Sequence, residues 1–312
     1  MTYTVSVSGL RKAYGEQVVL DGVDLSVERG TVFALLGPNG AGKTTAVNIL
    51  ATLVRPDAGS ATIDGHDLLT DPDGVRRSIS LTGQFAAVDD VLTAEENLVM
   101  MARLLRLSPK AARVRTRELL AEFDLEGVRD RRVKALSGGM RRRVDIAASV
   151  IVRPRLLFLD EPTTGLDPRS REQTWATVRR LTTEGVTILL TTQYLEEADQ
   201  LADRIAMLNG GRIVAEGTAD ELKSSLEGEV VRLEFAEADG FERAARTVPV
   251  ADADSARRTL DVATDGSADQ VRDLLTRLDT AGIPVQRVSL FRPSLDDVFL
   301  SLTTEKPKEV AL

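Results

Sequence analysis

The sequence predicts an α/β protein with a mainly parallel sheet, followed by a smaller α+β domain. Three stretches, 31–36, 156–159 and 186–192, are continuously apolar or β-branched, which is typical of strands covered on both faces. Helical patterns separate these strands, so we expect crossover connections between parallel neighbours. After about residue 222 the composition changes, and shorter strands alternate with helical stretches. The 312 residues therefore predict one large and one small domain.

Local signals place further elements of the large domain. Residues 4–8 and 23–27 alternate apolar with polar side chains, which predicts half-buried strands. Residues 93–123 read as helices, the first of which is opened by a Thr-x-x-Glu capping box. An acid followed by proline, Asp167-Pro168, predicts the start of another helix. Strands and helices thus alternate along most of this domain.

The two predicted domains have definite bounds. We expect the large domain to cover residues 1–222 and the small domain residues 223–303, with a frayed tail over residues 304–312. The small domain is predicted to contain strands at 230–235, 259–264 and 285–291 and helices near 240–247 and 268–281. This order is that of a small α+β domain.

Composition excludes several classes of protein. The 40 basic and 48 acidic side chains give a formal net charge of −8, which argues against a nucleic-acid partner bound through broad phosphate neutralisation. The lack of cysteine excludes disulfides and thiolate catalysis, and a single histidine, His66, excludes a histidine-rich metal site. We expect His66 on an exposed turn. No apolar run approaches the roughly 20 residues of a spanning helix, and the N-terminus lacks a secretion signal, so a soluble chain is expected.

A phosphate-binding motif, G-x-x-x-x-G-K-[ST], lies between an apolar strand and a helical segment. Its glycines let backbone N–H groups surround phosphate oxygens, and the helix N-terminus adds its positive dipole end. The dipole contributes only about 0.3–2 kcal/mol, so Lys43 and a Mg²⁺ ion on the Thr44 hydroxyl must supply most of the compensation for a triphosphate. A glycine-rich turn with an incidental lysine is a poor alternative in this context. The predicted ATP-binding residues are Gly37, Pro38, Asn39, Gly40, Ala41, Gly42, Lys43, Thr44 and Thr45.

Two acids follow the second apolar strand. Asp160 is expected to hold Mg²⁺, and Glu161 is expected to polarise the water that attacks ATP. Adjacent acids at a strand end are common in turns, so the pair alone is weak evidence. Combined with the phosphate loop, it predicts an ATP-hydrolysing site that uses ATP and Mg²⁺.

A third motif, Leu-Ser-Gly-Gly-Met at residues 136–140, begins an arginine-rich helix upstream of Asp160. Together with the phosphate loop and the acids, it resembles the signature of the ATP-binding-cassette (ABC) superfamily, and residues 1–222 resemble a complete cassette. The resemblance implies a P-loop ATPase fold with a mainly parallel sheet core, an antiparallel β subdomain and a helical subdomain at about 85–150. A lone Ser-Gly-Gly is by default a helix cap with glycines for close packing, but the linked motifs favour the signature.

The resemblance implies roles for single residues. Ser137, Gly138 and Gly139 complete the ATP site of a second copy, so that two copies meet head to tail as a homodimer. The start of a helix can bind an anion, and transition-state charge supplied by a second subunit is worth about 10³–10⁵ in rate in other phosphoryl-transfer systems. Tyr14 corresponds to the aromatic residue that stacks on adenine. Asp167 belongs to the loop that links the two ATP sites.

Two glutamines complete the catalytic residues that the resemblance implies. Gln84 corresponds to the residue that joins Mg²⁺ and the attacking water to the helical subdomain. Gln193 stands where most cassettes carry a histidine that contacts the γ-phosphate. An amide donates a hydrogen bond but cannot relay a proton, which leaves Glu161 as the expected water activator. No histidine is therefore expected to act in hydrolysis. We expect the pH profile of the hydrolysis rate to show no limb that depends on His66, the single histidine.

The resemblance also implies a function. An ATPase without spanning helices works with a separate integral-membrane permease subunit, peripherally at the cytoplasmic face of the cell membrane. Gln193 and the segment 291–299 resemble ATPases of the daunorubicin/doxorubicin-resistance type. This implies that the chain powers efflux of a drug-like or antibiotic amphipathic compound, with no nucleic-acid partner.

Other functions remain open from the sequence. One is the ATPase of a lipid or polysaccharide exporter. Another is a non-transport cassette that acts on ribosomes or DNA, although such relatives usually carry two cassettes or long insertions. A third possibility concerns residues 223–303, which could act in regulation, dimer stabilisation or coupling.

Overall fold

The computed structural model describes residues 2–83, 87–225, 229–291 and 294–303. The chain divides into two compact units, Met1–Ala219 and Asp220–Leu312. The division lies close to residue 222, where the composition changes. The expected tail over residues 304–312 lies outside the described residues.

Strands of the first unit form two sheets. They are β1 (Tyr3–Tyr14), β2 (Gln17–Glu28), β3 (Val32–Leu36), β4 (Ala58–Ile63), β5 (His66–Asp67), β6 (Ile79–Thr82), β7 (Leu156–Asp160), β8 (Thr187–Thr192), β9 (Arg204–Asn209) and β10 (Arg212–Gly217). Strands β2-β1-β4-β5 make an antiparallel sheet, and β10-β9-β3-β8-β7-β6 make a second sheet in which only the β9–β10 pair is antiparallel. The mainly parallel core predicted from the sequence is confirmed.

Burial explains why the central strands are apolar throughout. Every residue of β3, β7 and β8 is buried, as expected for strands covered on both faces. Their register is parallel, so their carboxyl ends meet at one edge of the sheet. Ligand sites of open α/β sheets lie at this edge. Of the two acids predicted to act on ATP, Asp160 is the last residue of β7 and Glu161 follows it at this edge.

Helices of the chain begin and end as follows: α1 (Lys43–Leu50), α2 (Pro72–Ser78), α3 (Ala94–Leu104), α4 (Pro109–Glu122), α5 (Gly138–Ser149), α6 (Pro168–Thr183), α7 (Leu195–Leu201), α8 (Ala219–Ser224), α9 (Ala238–Thr247), α10 (Ala268–Thr280) and α11 (Leu295–Thr303). The capping box of α3 forms as predicted, since the Glu96 N–H donates to Thr93 Oγ1 at 3.1 Å and the Thr93 N–H donates to Glu96 Oε2 at 2.8 Å. Among the described residues, no helix combines the length and apolar character needed to cross a membrane.

The second unit is α+β. Its strands, β11 (Glu229–Glu234), β12 (Asp252–Asp254), β13 (Thr259–Thr264) and β14 (Arg287–Phe291), form an antiparallel sheet in the order β12-β13-β11-β14. Alternate strand residues such as Val231 and Leu260 pack with Leu274 and Leu278 of α10 in one hydrophobic cluster. Period-2 alternation on the strands and period-3.6 spacing on the helix produce this shared core.

Candidate active site

The phosphate loop joins the buried end of β3 to the first turn of α1, and glycine is required at several of its positions. A Cβ atom on Gly37 would lie 2.3 Å from the carbonyl oxygen of Leu208. Gly40 and Gly42 have φ angles of 82° and 109°, a backbone conformation in which a residue with a side chain would be strained. Close packing and backbone conformation therefore explain why this loop needs its glycines. Lys43 follows them as the first residue of α1.

Lys43 is buried at the centre of the site. Its Nζ donates to the carbonyl oxygens of Gly37 and Pro38, at 2.7 and 3.0 Å. The same atom lies 3.8 Å from Glu161 Oε1. Burial lowers the pKa of Lys43, and the neighbouring Glu161 and Asp160 carboxylates oppose that shift. The ammonium thus joins the phosphate loop to the two acids after β7.

Asp160 meets two hydroxyl groups. Thr44 Oγ1 donates to Asp160 Oδ2 at 3.2 Å, and Thr191 Oγ1, at the end of β8, donates to Asp160 Oδ1. Mg²⁺ in nucleotide sites is usually bound by one or two protein oxygens together with phosphates and waters. The Thr44 hydroxyl and the Asp160 carboxylate are therefore a suitable pair of protein ligands.

Glu161 has an unusual backbone conformation. Its φ angle is 46°, in the left-handed region that costs a non-glycine residue roughly 1–3 kcal/mol. The Glu161 N–H donates to Thr191 O at 3.1 Å and to Thr191 Oγ1 at 3.2 Å. Thr164 Oγ1 donates to Glu161 Oε2 at 3.2 Å. These contacts hold the carboxylate beside Lys43 in spite of the strain.

A cavity of about 590 Å³ opens in front of these residues, within the usual range for small-molecule sites. It is lined by Tyr14, Gln17, Val19, Asn39, Gly40, Gly42, Lys43, Thr44, Thr45, Glu161, Thr164 and Gln193. The structure therefore brings predicted residues from four separate segments to one place. Gln17, Val19 and Thr164 are lining residues that the sequence analysis missed, although the first two belong to the strand that follows Tyr14.

Some predicted site residues lie elsewhere. Gly37, Pro38 and Ala41 belong to the loop but do not line the cavity. Asp160 is buried beneath the site, at 6% exposure, and reaches it through Thr44. Gln84 lies outside the described residues.

The signature residues form a separate surface. Ser137 is the N-cap of α5 and accepts a hydrogen bond from the Met140 N–H at 3.3 Å. Ser137 and Gly138 are exposed, whereas a Cβ atom on Gly139 would lie 2.4 Å from Ser170 Oγ in α6. None of Ser137, Gly138, Gly139 and Asp167 lines the cavity. Ser137 thus caps α5, and Gly139 allows close packing against α6. Ser137 and Gly138 are nevertheless exposed.

His66 is remote from these groups. It belongs to β5 rather than to the expected exposed turn, because it pairs with Ile63 of β4. Its Nδ1 lies 2.7 Å from Asp71 Oδ2, and it does not line the cavity. The cavity residue at the end of β8 is Gln193 instead.

Glu197 supports the site from below. It is 1% exposed, and its Oε1 accepts hydrogen bonds from Thr163 Oγ1 at 2.7 Å and from the Trp175 indole N–H at 3.3 Å. Burial raises the pKa of Glu197, and these hydrogen bonds oppose the shift. The residue joins α7 to α6 and to the loop that follows Glu161.

The raised pKa of Glu197 predicts a pH-dependent stability. Above the ordinary value of 4.5 and below the raised value, the folded protein binds more protons than the unfolded chain, so the free energy of unfolding falls as pH rises. We expect the stability of Glu197→Gln relative to the parent to be higher at pH 8 than at pH 5, because only the parent acquires a buried charge as the pH rises. Urea unfolding at both pH values measures this. The exposed neighbour variant Glu196→Gln is the control, and an equal pH response in both variants would contradict the prediction.

A glycine loop at a helix start, a lysine beside two acids and a Thr–Asp oxygen pair, all at the carboxyl edge of a parallel sheet, define a P-loop nucleotide-binding ATPase. Comparisons with known proteins narrow this class. Residues 20–164 match the family model of ABC transporters, and residues 217–303 match the C-terminal domain of DrrA1-3-like ATP-binding proteins. The chain belongs to the ABC transporter ATP-binding proteins of the DrrA type.

Relatives match over nearly the whole chain. The daunorubicin/doxorubicin resistance ATP-binding protein DrrA of Streptomyces peucetius is 52% identical, over 97% of this chain and 93% of its own. The doxorubicin resistance ATP-binding protein DrrA of Mycobacterium tuberculosis is 50% identical, over 96% and 94%. The Nod factor export ATP-binding protein I of Ralstonia nicotianae is 40% identical, over 99% and 96%.

Solved structures give the same fold. An ATP-binding subunit of an ABC transporter is 32% identical with a TM-score of 0.63, and the match covers 72% of this chain and 93% of that one. A dimeric ATP-binding cassette in a post-hydrolysis state, bound to ADP and Pi, is 28% identical with a TM-score of 0.62, over 69% and 98%. The predicted family, cassette fold and ATPase activity are confirmed, and the cassette binds nucleotide.

Proposed function

We propose that this ATPase powers the efflux of a drug-like amphipathic compound through a separate integral-membrane permease subunit, at the cytoplasmic face of the cell membrane. The proposal rests on one observation above all. The relatives named for daunorubicin or doxorubicin resistance match at 48–52% identity, and the match includes the C-terminal domain. An exporter of lipid or polysaccharide is less well supported, since the Nod factor relative matches at 40%.

In the proposed transporter, each ATP site is shared between two copies of the chain. One copy contributes the cavity with the phosphate loop, where Thr44, Gln84 and Asp160 would hold a Mg²⁺ ion that would neutralise phosphate charge. The other contributes Ser137 and Gly138, which are exposed and outside their own cavity. This separation supports a homodimer in which each signature covers the partner's nucleotide.

The chain's own residues then carry out hydrolysis. Tyr14 stacks on the adenine, Lys43 binds the β- and γ-phosphates, and Glu161 polarises the attacking water. Gln193 donates an amide hydrogen bond to the γ-phosphate. Closure of two copies around ATP moves their helical subdomains, and hydrolysis reopens the dimer.

A groove of about 390 Å³ in the first unit is the proposed docking site for the permease. It is lined by Arg76, Arg77, Ile79, Ser80, Leu81, Ala87, Met101, Leu105, Asp145, Ala148, Ser149, Val152, Arg153 and Pro154. Leu105 and Val152 are exposed at 46% and 52%. The exposed apolar side chains suit an apolar cytoplasmic segment, whereas Arg76 and Arg153 are already paired with Asp73 and Glu184.

Co-purification with the membrane subunit tests the proposed function. We expect the ATPase to purify with the permease that is co-expressed with it, and its rate to rise with amphipathic drugs in a panel that also contains lipids and glycoconjugates. The same complex with Glu161→Gln controls for contaminating ATPases. Stimulation by lipids or glycoconjugates alone would favour the alternative exporter, and association with ribosomes in place of a permease would reject transport.

Residues 223–303 are proposed as an accessory domain appended to the cassette of residues 1–222. The family match at residues 217–303 supports a unit distinct from the cassette. Deleting the domain and measuring dimerisation and ATPase rate separately tests its role. Loss of dimerisation indicates a stabilising role, and loss of permease-stimulated ATPase alone indicates coupling.

A further inference from the structure

Arg142 and Asp145 form a buried ion pair on α5, outside the nucleotide cavity. They are 7% and 3% exposed, and Arg142 Nη1 lies 3.3 Å from Asp145 Oδ2. Burial lowers the pKa of Arg142 and raises that of Asp145. Because desolvation of two charges commonly offsets their attraction, a buried pair is weak evidence for a stabilising role. The other hydrogen bonds of Arg142 and Asp145 indicate the role of the pair.

The pair connects α5 to three points of the chain backbone. Arg142 Nη2 donates to the carbonyl oxygen of Asp160 at 3.3 Å, and Nη1 donates to the carbonyl oxygen of Gly83 at 2.8 Å. Asp145 Oδ1 accepts from the Ala87 N–H at 2.9 Å. The helix that begins at the signature is thereby tied to the end of β7 and to the residues on either side of segment 84–86.

Arg142 contacts the peptide group that joins Asp160 to Glu161. Arg142 binds the carbonyl oxygen of this peptide, and Thr191 binds its N–H group through both O and Oγ1. With both polar ends hydrogen-bonded, rotation of the peptide to relieve the left-handed φ of Glu161 would break these bonds. Rotation would move the Glu161 carboxylate from its place beside Lys43.

We propose that Arg142, with Asp145 as its counter-charge, is a positioning residue for ATP hydrolysis that holds the Asp160–Glu161 peptide in the strained conformation the reaction needs. Arg142 does not line the nucleotide cavity. Lys43 donates to the carbonyl oxygens of Gly37 and Pro38, and neither of these hydrogen bonds involves Arg142. Loss of Arg142 therefore lowers the rate of the chemical step and leaves ATP binding in place.

The paired variant Arg142→Met/Asp145→Asn tests this role. It removes both buried charges, which avoids the penalty of leaving one charge unpaired, and Asn keeps an acceptor for the Ala87 N–H. We expect kcat for ATP hydrolysis to fall at least tenfold, while KM and the affinity for a fluorescent ATP analogue stay within threefold of the parent. Thermal unfolding reports whether the variant is folded.

A matched control lies at the other end of α5. Arg115 of α4 also combines carboxylates, Glu118 at 3.1 Å and Glu122 at 3.2 Å, with two backbone carbonyls, those of Val150 and Ile151 at 3.2 and 3.1 Å. It does not line the cavity. We expect Arg115→Met/Glu122→Gln to keep kcat within twofold of the parent. An equal fall in kcat in both paired variants would overturn the proposal, since it would reflect general loosening of α5.

A second variant covers the case in which the paired variant fails to fold. Arg142→Lys keeps the charge next to Asp145, but an ammonium lacks the planar fork that reaches two carbonyls and a carboxylate together. We expect a several-fold lower kcat at unchanged KM. A folded variant of either kind that hydrolyses ATP at the parent rate overturns the proposal.

Discussion

Replacing Glu161 with glutamine is expected to lower kcat for ATP hydrolysis by roughly 10²–10⁴-fold, the usual contribution of a positioned general base. The amide keeps the size of the side chain and can still accept from Thr164, but it cannot take a proton from water. Steady-state phosphate release measures the effect. ATP binding is retained because the phosphate loop and Lys43 are unchanged.

The same variant tests whether the ATP site is shared between two copies of the chain. If two copies close around two ATP molecules and hydrolysis reopens them, Glu161→Gln accumulates a closed dimer in the presence of ATP and Mg²⁺, which light scattering detects as a doubled mass. Glu126→Gln, at an exposed position after α4 in the first unit, is the control and stays like the parent. A Glu161→Gln protein that turns over at the parent rate would remove Glu161 from the mechanism.

Replacing Lys43 with alanine is expected to weaken ATP binding by about 2–5 kcal/mol, or roughly 30-fold to several thousand-fold, the cost of truncating one partner of a buried charge pair. Removal of Lys43 also takes the positive charge from beside the Glu161 carboxylate, so we expect the folding stability to fall as well. Titration with a fluorescent ATP analogue and thermal unfolding separate the two effects.

The exposed residue Lys110, at the start of α4, provides the control for lost positive charge. Lys110→Ala keeps the parent affinity for ATP if local contacts, rather than net charge, determine binding. A Lys43→Ala protein with parent affinity, or one whose weakened binding is matched by Lys110→Ala, would contradict the role of Lys43 in the phosphate loop.

Much of the site could be predicted because its chemistry is local in sequence. A phosphate loop needs glycines at fixed positions, and the close approach of Gly37 to Leu208 O shows the steric reason for one of them. The acids Asp160 and Glu161 follow a strand whose apolar character shows that it is buried on both faces. The sequence pattern therefore placed both at the carboxyl edge of the sheet.

Other parts of the site depend on contacts between distant segments. Thr191 is a polar residue within a buried strand, and only the register of β7 against β8 brings it to Asp160. Arg142 belongs to the arginine-rich start of α5, and the structure buries it against Asp145. One sequence does not show which of several arginines turns inward, because the choice depends on acceptors far along the chain.

The fold was predicted best where periodicity was strong. Residues 240–247 and 268–281 correspond to α9 and α10, and the alternation at 230–235 corresponds to β11. The hairpin of β9 and β10 was not predicted, and neither was α11. These elements are short, and tertiary packing rather than local pattern determines such segments.

The close approach of Gly139 to Ser170 has a consequence for the encounter between two copies. With no side chain at Gly139, the first turns of α5 and α6 meet directly, and Ser137 and Asp167 cap neighbouring helices. Each cap is already hydrogen-bonded to its own helix. A partner therefore meets an ordered surface, and association avoids the roughly 1–2 kcal/mol of backbone entropy that each newly fixed residue would cost. In the proposed homodimer, the signature would therefore reach the partner's nucleotide without a folding step of its own.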